Sequence, residues 1–171
     1  MVGAGRGTIS TPSALTALAA ERPTFVDTNV LVYAHDASEA VKQPLARAVL
    51  DRLWAEHSGT LSTQILQEFY NTATRKLGRP MTRAEAREIV ELYSAWPTVV
   101  IDPALILTAS RLEEDHQLSF WDALVVEAAR VAGAERLLTE DMQNGRVIEG
   151  IRIENPFVSE DPPDNAAISS G

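Results

Sequence analysis

Four acidic residues stand where apolar stretches of this chain begin, end or meet their margins. They are Asp27 in Phe25-Val26-Asp27-Thr28-Asn29, Glu68 in Gln64-Ile65-Leu66-Gln67-Glu68-Phe69, Asp122 in Phe120-Trp121-Asp122-Ala123-Leu124, and Asp141 in Leu137-Leu138-Thr139-Glu140-Asp141. A charge against apolar chain is costly unless something compensates it. Gathered in one cleft, such carboxylates would repel one another. A hard divalent cation, which prefers oxygen ligands, would remove that repulsion. Each residue also has a plainer reading. Asp27 suits a helix N-cap. Asp122 completes Ser119-x-x-Asp122, a capping-box pattern. Asp141 suits an Asx-turn, and Glu140 beside it could share or replace its role. Glu68 falls mid-helix, where capping is not an option. It shares a face with Leu61, Ile65 and Thr72, and an arginine such as Arg75 could pair with it.

The elements that would position these residues follow from the pattern. A short apolar run over 24–26 reads as a buried strand, followed by a helical turn or short helix over 29–35. A helix is expected over 38–56, with Pro44 as a kink or restart point. A strand candidate at 59–62 leads into a helix over 63–77, stopped by Gly78-Arg79-Pro80. Thr82 and Glu85 form a capping box for a helix running to about residue 95. The run 98–101 is β-branched and strand-like. Pro103 starts a helix ending near 117, and Ser119 caps the next, which ends at Gly133. Strands are expected at 136–139 and, as one piece, at 147–153.

Short apolar strands alternating with helices imply an α/β fold. It is expected as a three-layer α/β/α sandwich with a mainly parallel central sheet. Ligands in such sheets bind at the carboxyl ends of the strands, where Asp27 and Asp141 would lie. The expected division is an N-terminal extension over 1–22, one domain over 23–158 and a loose polar tail over 159–171. Within the extension, Thr11-Pro12 could cap a short helix through Ala20, and the Gly- and Ser-rich first ten residues read as disordered.

The chain has 171 residues, 45% of them hydrophobic, which suits one domain with a substantial core. It has no cysteine, which removes disulfides and thiolate chemistry and fits a reducing, cytoplasmic setting. No apolar run approaches the length of a membrane span. The stretch before residue 20 is too short in its apolar part for a signal peptide. Acidic residues outnumber basic ones 24 to 15, against a plain electrostatic clamp for nucleic acid but compatible with a partner carrying a basic segment. His35, His57 and His116 are dispersed and read as residues that cap or cover helix ends. Trp54, Trp96 and Trp121 read as core. Arg75, Lys76, Arg79, Arg83 and Arg87 form a basic group after Glu68, either a solvated surface or a track for phosphates.

In these segments, and in their order, the chain resembles PIN-domain nucleases, most closely the VapC-type toxins of prokaryotic toxin–antitoxin pairs. The matching pieces are residues 26–31, 67–71, 119–124 and 138–142, within a resemblance spanning about 24–157. The resemblance implies a ribonuclease dependent on Mg²⁺, with Mn²⁺ as a substitute. Asp27, Glu68, Asp122 and Asp141 then form its acidic metal site, with Asp27 and Asp122 as the foremost direct ligands. Thr28, Asn29 and Thr139 would orient the carboxylates by hydrogen bonds. Arg75, Lys76 and Arg79 are candidates for contacts to RNA. The resemblance also implies a cognate antitoxin and a homodimer. A non-catalytic protein-interaction module on the same fold is the alternative. A receiver-type phosphoacceptor would need two acids at the first strand end, and an aspartyl phosphatase would need Asp-x-Asp where this chain has Asp27-Thr28-Asn29.

Overall fold

The computed structural model of the protein describes residues 22–158. The expected extension, with its short helix, and the expected tail lie outside the described residues.

Strand β1 (Thr24–Val26) is buried along its whole length and ends at Asp27. Helix α1 (Thr28–His35) starts at once, because Asp27 has extended backbone and its carboxylate accepts from the Thr28 N–H. Helix α2 (Lys42–Glu56) begins four residues later than the pattern suggested. Pro44 falls in its first turn, where the missing N–H costs nothing, so it starts the helix rather than kinking it. The helix ends on His57 in the left-handed conformation.

Strand β2 (Gly59–Ser62) runs into α3 (Thr63–Arg75), with the Ser62 hydroxyl capping the Ile65 N–H. Gly59 is required here by packing: a Cβ on it would lie 2.5 Å from the Trp96 ring. Helix α4 (Arg83–Tyr93) carries the full capping box, Thr82 and Glu85 each satisfying the other's backbone. Strand β3 (Thr98–Val99) is shorter than expected. Helix α5 (Pro103–His116) follows, capped by Asp102, whose carboxylate accepts from Leu105 N–H at 2.8 Å. Helix α6 (Phe120–Val131) is buried from Ala123 to Ala129.

Strand β4 (Arg136–Leu138) comes next. The expected single strand over 147–153 is instead a hairpin of β5 (Val147–Ile148) and β6 (Ile151–Glu154), paired antiparallel. Glu149 and Gly150 both have positive φ, 49° and 82°. That is the signature of the tight turn whose twist matches a hairpin, and the two residues break the apolar run in two.

The sheet order is β3-β2-β1-β4-β6-β5, with every pair parallel except the last. The chain steps outward from β1 to β3, then returns across to β4. With right-handed crossovers, α1–α4 cover one face and α5–α6 the other. This is the expected α/β architecture. The direction of winding changes between β1 and β4, and a cleft forms at their carboxyl ends. The hydrophobic core is continuous across both faces, from Leu31, Leu53 and Phe69 to Leu124, Val126 and Leu137.

The aromatic residues do not all follow expectation. Trp96 is buried and Trp54 packs against it and Tyr93. Trp121 is instead 62% exposed. It sits in the first turn of α6, before that helix enters the core. The histidines behave as expected. His35 and His116 lie in last turns of helices, and His57 is a C-cap.

Candidate active site

The parallel register sets Val26 beside Leu138, so Asp27 and Thr139 leave the sheet side by side. Asp27 N–H donates to Leu138 O at 3.0 Å, which fixes the exit of β1 against β4. The Thr139 hydroxyl donates to Asp27 Oδ2 at 2.7 Å, and Thr28 N–H to Oδ1 at 2.6 Å. From α1, the Asn29 amide reaches Asp27 Oδ2 at 3.1 Å, Thr139 Oγ1 at 3.0 Å and Asp141 Oδ2 at 2.9 Å. Thr28 donates its hydroxyl to Glu68 Oε2 at 2.8 Å. Asp27, Glu68 and Asp141, distant in sequence, are therefore tied together by the three polar residues expected to orient them.

Asp27 is 7% exposed. Burial, opposed by the hydrogen bonds from Thr139 and Thr28, raises its pKa to about 6, and the negative charges of Asp141 and Glu68 add to the rise. A carboxylate held in this way carries an electrostatic debt that a cation would cancel.

Glu140 and Asp141 take different paths. Glu140 accepts from Lys42 Nζ at 2.6 Å and from the Tyr33 hydroxyl, and Lys42 also donates to Tyr33 at 3.1 Å. These groups raise the Lys42 pKa further, the Glu140 hydrogen bond most of all. Asp141 instead bonds Asn29, and its N–H donates to Thr139 Oγ1 at 3.1 Å. The ambiguity between the two neighbours is thus separated by geometry: Glu140 anchors the loop and Asp141 turns to the cluster. Glu68 is not paired with Arg75, which bonds Asn71 at 2.5 Å.

Asp122 is the exception. Its Oδ2 accepts from the Ser119 hydroxyl at 2.7 Å, and its N–H donates to Ser119 Oγ at 3.1 Å. The short link between α6 and β4 sets the first turn of α6 toward the carboxyl edge. Even so, the charges acting on Asp27 are those of Asp141 and Glu68. Among the described residues, no three acidic or histidine side chains stand close enough together to hold a metal ion. The donor chemistry nevertheless suits a hard cation, being all oxygen. Two buried acceptor oxygens on residues that bond these carboxylates, Asn29 Oδ1 and Gln64 Oε1, have no partner among the described residues. The residues fit such an ion in kind but are not drawn together around one point.

Sequence reasoning overlooked Gln64, Tyr33 and Lys42. Gln64 precedes Glu68 by one helical turn, a spacing that could have flagged it. The contacts of Tyr33 and Lys42 to Glu140 cross 107 and 98 residues and leave no local trace. Arg75, Lys76 and Arg79 are exposed at and just beyond the end of α3.

A family model, PIN domain, matches residues 24–147. The chain belongs to the PIN domain family. Solved structures of PIN relatives share the fold at low identity. A toxin–antitoxin complex from Klebsiella pneumoniae is 16% identical, with a TM-score of 0.58, covering 78% of this chain and 97% of its own. FitAB bound to an IR36 DNA fragment is 17% identical, with a TM-score of 0.58, covering 81% and 99%. VapBC2 from Rickettsia felis, bound to a DNA fragment from its promoter, is 17% identical, with a TM-score of 0.53, covering 77% and 97%. No curated protein matches the chain. Among the described residues no helix is long and apolar enough to cross a membrane.

Proposed function

We propose that this PIN domain is a metal-dependent endoribonuclease acting as the toxin of a toxin–antitoxin pair. The observation that carries the reading is Asp27. It is a buried carboxylate at the carboxyl edge of the sheet, joined through Asn29 and Thr139 to Asp141 and through Thr28 to Glu68, and its pKa is raised. Shifted carboxylates gathered in a cleft cluster at functional sites.

Asp27, Glu68 and Asp141 would hold Mg²⁺ or Mn²⁺, with Asp122 completing the acidic set from α6. Bound there, the ion supplies Lewis acidity and an acidified water near neutral pH. The chain's own residues do the rest. Thr139, Thr28 and Asn29 keep Asp27 aligned. Thr28 holds Glu68 so that its carboxylate can orient a water or take its proton. Arg75, Lys76 and Arg79 offer cationic contacts to the RNA backbone away from the acidic cleft. The formal charge of −9 suits an antitoxin with a basic segment, and the relatives solved as toxin–antitoxin complexes support such a partner. A homodimer and a cytoplasmic setting belong to the same reading.

One observation favours the second reading, a non-catalytic interaction module: the Asp122 carboxylate is engaged with Ser119. A cleavage assay on mixed RNAs, with antitoxin removed, separates the two. Asp27→Asn and Asp122→Asn should abolish cleavage without unfolding the protein. Full activity of both variants in EDTA-treated buffer would refute the nuclease.

A further inference from the structure

Gln64 lies in the first turn of α3, one turn before Glu68 and on the same face. It is 5% exposed. Its Nε2 donates to Glu68 Oε1 at 2.9 Å. A carboxylate only accepts, so the amide nitrogen must face it and the amide oxygen must point away. That oxygen, Oε1, is buried and has no donor within the described residues. The two oxygens of Glu68 are thus held one each, Oε2 by Thr28 from α1 and Oε1 by Gln64 from its own helix.

A glutamine that only filled space would be a poor choice here. Burying an amide with one end unsatisfied costs more than burying a leucine of similar shape. Such a cost is retained where the polar end is used.

We infer that Gln64 is a positioning residue of the site: its buried amide N–H holds Glu68 Oε1 while Thr28 holds Oε2, so that the carboxylate is presented in one orientation. The inference rests on the nuclease reading above and adds to it a residue that orients one of its acids from within the same helix. Partners that orient ligating carboxylates change metal affinity or activity by about 10- to 100-fold when lost.

The variant Gln64→Leu tests it, because it keeps volume while removing both polar ends. Its kcat on single-stranded RNA should fall at least tenfold (~10-fold or more) with KM nearly unchanged. Mn²⁺ binding followed directly by electron paramagnetic resonance should weaken. The melting temperature without divalent ions should hold or rise, since an unsatisfied buried oxygen has gone. A melting temperature that falls in step with activity would mark Gln64 as ordinary core and overturn the inference. Unchanged kcat and Mn²⁺ affinity, with an active wild type, would overturn it while leaving the nuclease standing. A wild type that neither binds Mn²⁺ nor cleaves RNA would remove both.

Discussion

Replacing Asp27 by asparagine should stabilise this protein when divalent ions are absent. Asp27 titrates at about 6 in the fold against an ordinary value of 3.8, because it is buried and because Asp141 and Glu68 face it. The unfolded chain therefore gives up this proton more readily than the folded one. Stability from the neutral carboxyl is fully present below pH 4 and is lost as pH rises through 6. At neutral pH the ionised group costs the fold about 3 kcal/mol, at ~1.4 kcal/mol per pH unit. Asparagine removes that charge while still accepting from the Thr28 N–H. Its amide nitrogen must then meet Thr139 Oγ1 and Asn29, which would return about 1 kcal/mol through weaker hydrogen bonds. The net gain is about 1–2 kcal/mol, or roughly 2–8 °C in Tm for a chain of this size.

Thermal melts in EDTA-treated buffer across pH 4–8 measure it. The variant should melt above wild type at pH 7.5 and level with it or below it at pH 4. Adding Mn²⁺ should raise the wild type and leave the variant where it was, closing or inverting the gap. A variant less stable than wild type at pH 7.5 without metal, or a difference that ignores pH, would refute the electrostatic account of the site.

Two other perturbations have defined outcomes. Gly59→Ala would drive a methyl into the Trp96 ring, already wedged between Trp54 and Tyr93; chemical denaturation should show a loss of about 1–3 kcal/mol, and an unchanged midpoint would mean that the ring yields freely. Charge reversal at Arg75 and Lys76 should raise KM for RNA, leave kcat close to wild type and flatten the dependence of KM on salt; if salt dependence is untouched, these residues are only solvated surface.

The fold was largely legible because its punctuation is local. Thr82 with Glu85, and Ser119, mark helix starts through hydrogen bonds that span a single turn, and Pro103 marks one by its fixed φ at the first helical position, so the sequence carries the whole signal. The hairpin over 147–154 was misread because its apolar residues run on either side of Glu149-Gly150, and glutamate is an uncommon residue at positive φ. Trp121 was misplaced for a related reason. The apolar character of α6 begins before its burial does, and one turn at a helix start can face water while the next is in the core. At the candidate site, residue types and their order pointed to Asp27, Glu68, Asp122 and Asp141 with Thr28, Asn29 and Thr139; hydrogen bonds join all of these but Asp122, which is held by Ser119. Partners across the chain, such as Lys42 for Glu140, could not be found without the three-dimensional path.

The hydrogen bonds at the cluster also show why the arrangement is unfinished in electrostatic terms. Asn29 Nδ2 carries two hydrogens yet lies within bonding distance of three acceptors, Asp27 Oδ2, Thr139 Oγ1 and Asp141 Oδ2. Thr139 has one hydroxyl hydrogen, which goes to Asp27. Glu68 receives one donor at each oxygen, where an ionised carboxylate can accept about four hydrogen bonds in all. Among the described residues, the acceptors around Asp27, Glu68 and Asp141 thus outnumber the donors; water can meet the exposed Asp141 but not the buried Asp27, and Asn29 Oδ1 and Gln64 Oε1 have no partner. Lys42, the lysine whose ammonium reaches the neighbouring loop, is held by Glu140 and Tyr33. Keeping Asp27 buried with the charges of Asp141 and Glu68 facing it is costly in the free protein. A positive charge entering the cleft would offset that cost, which supports the metal-dependent reading proposed above.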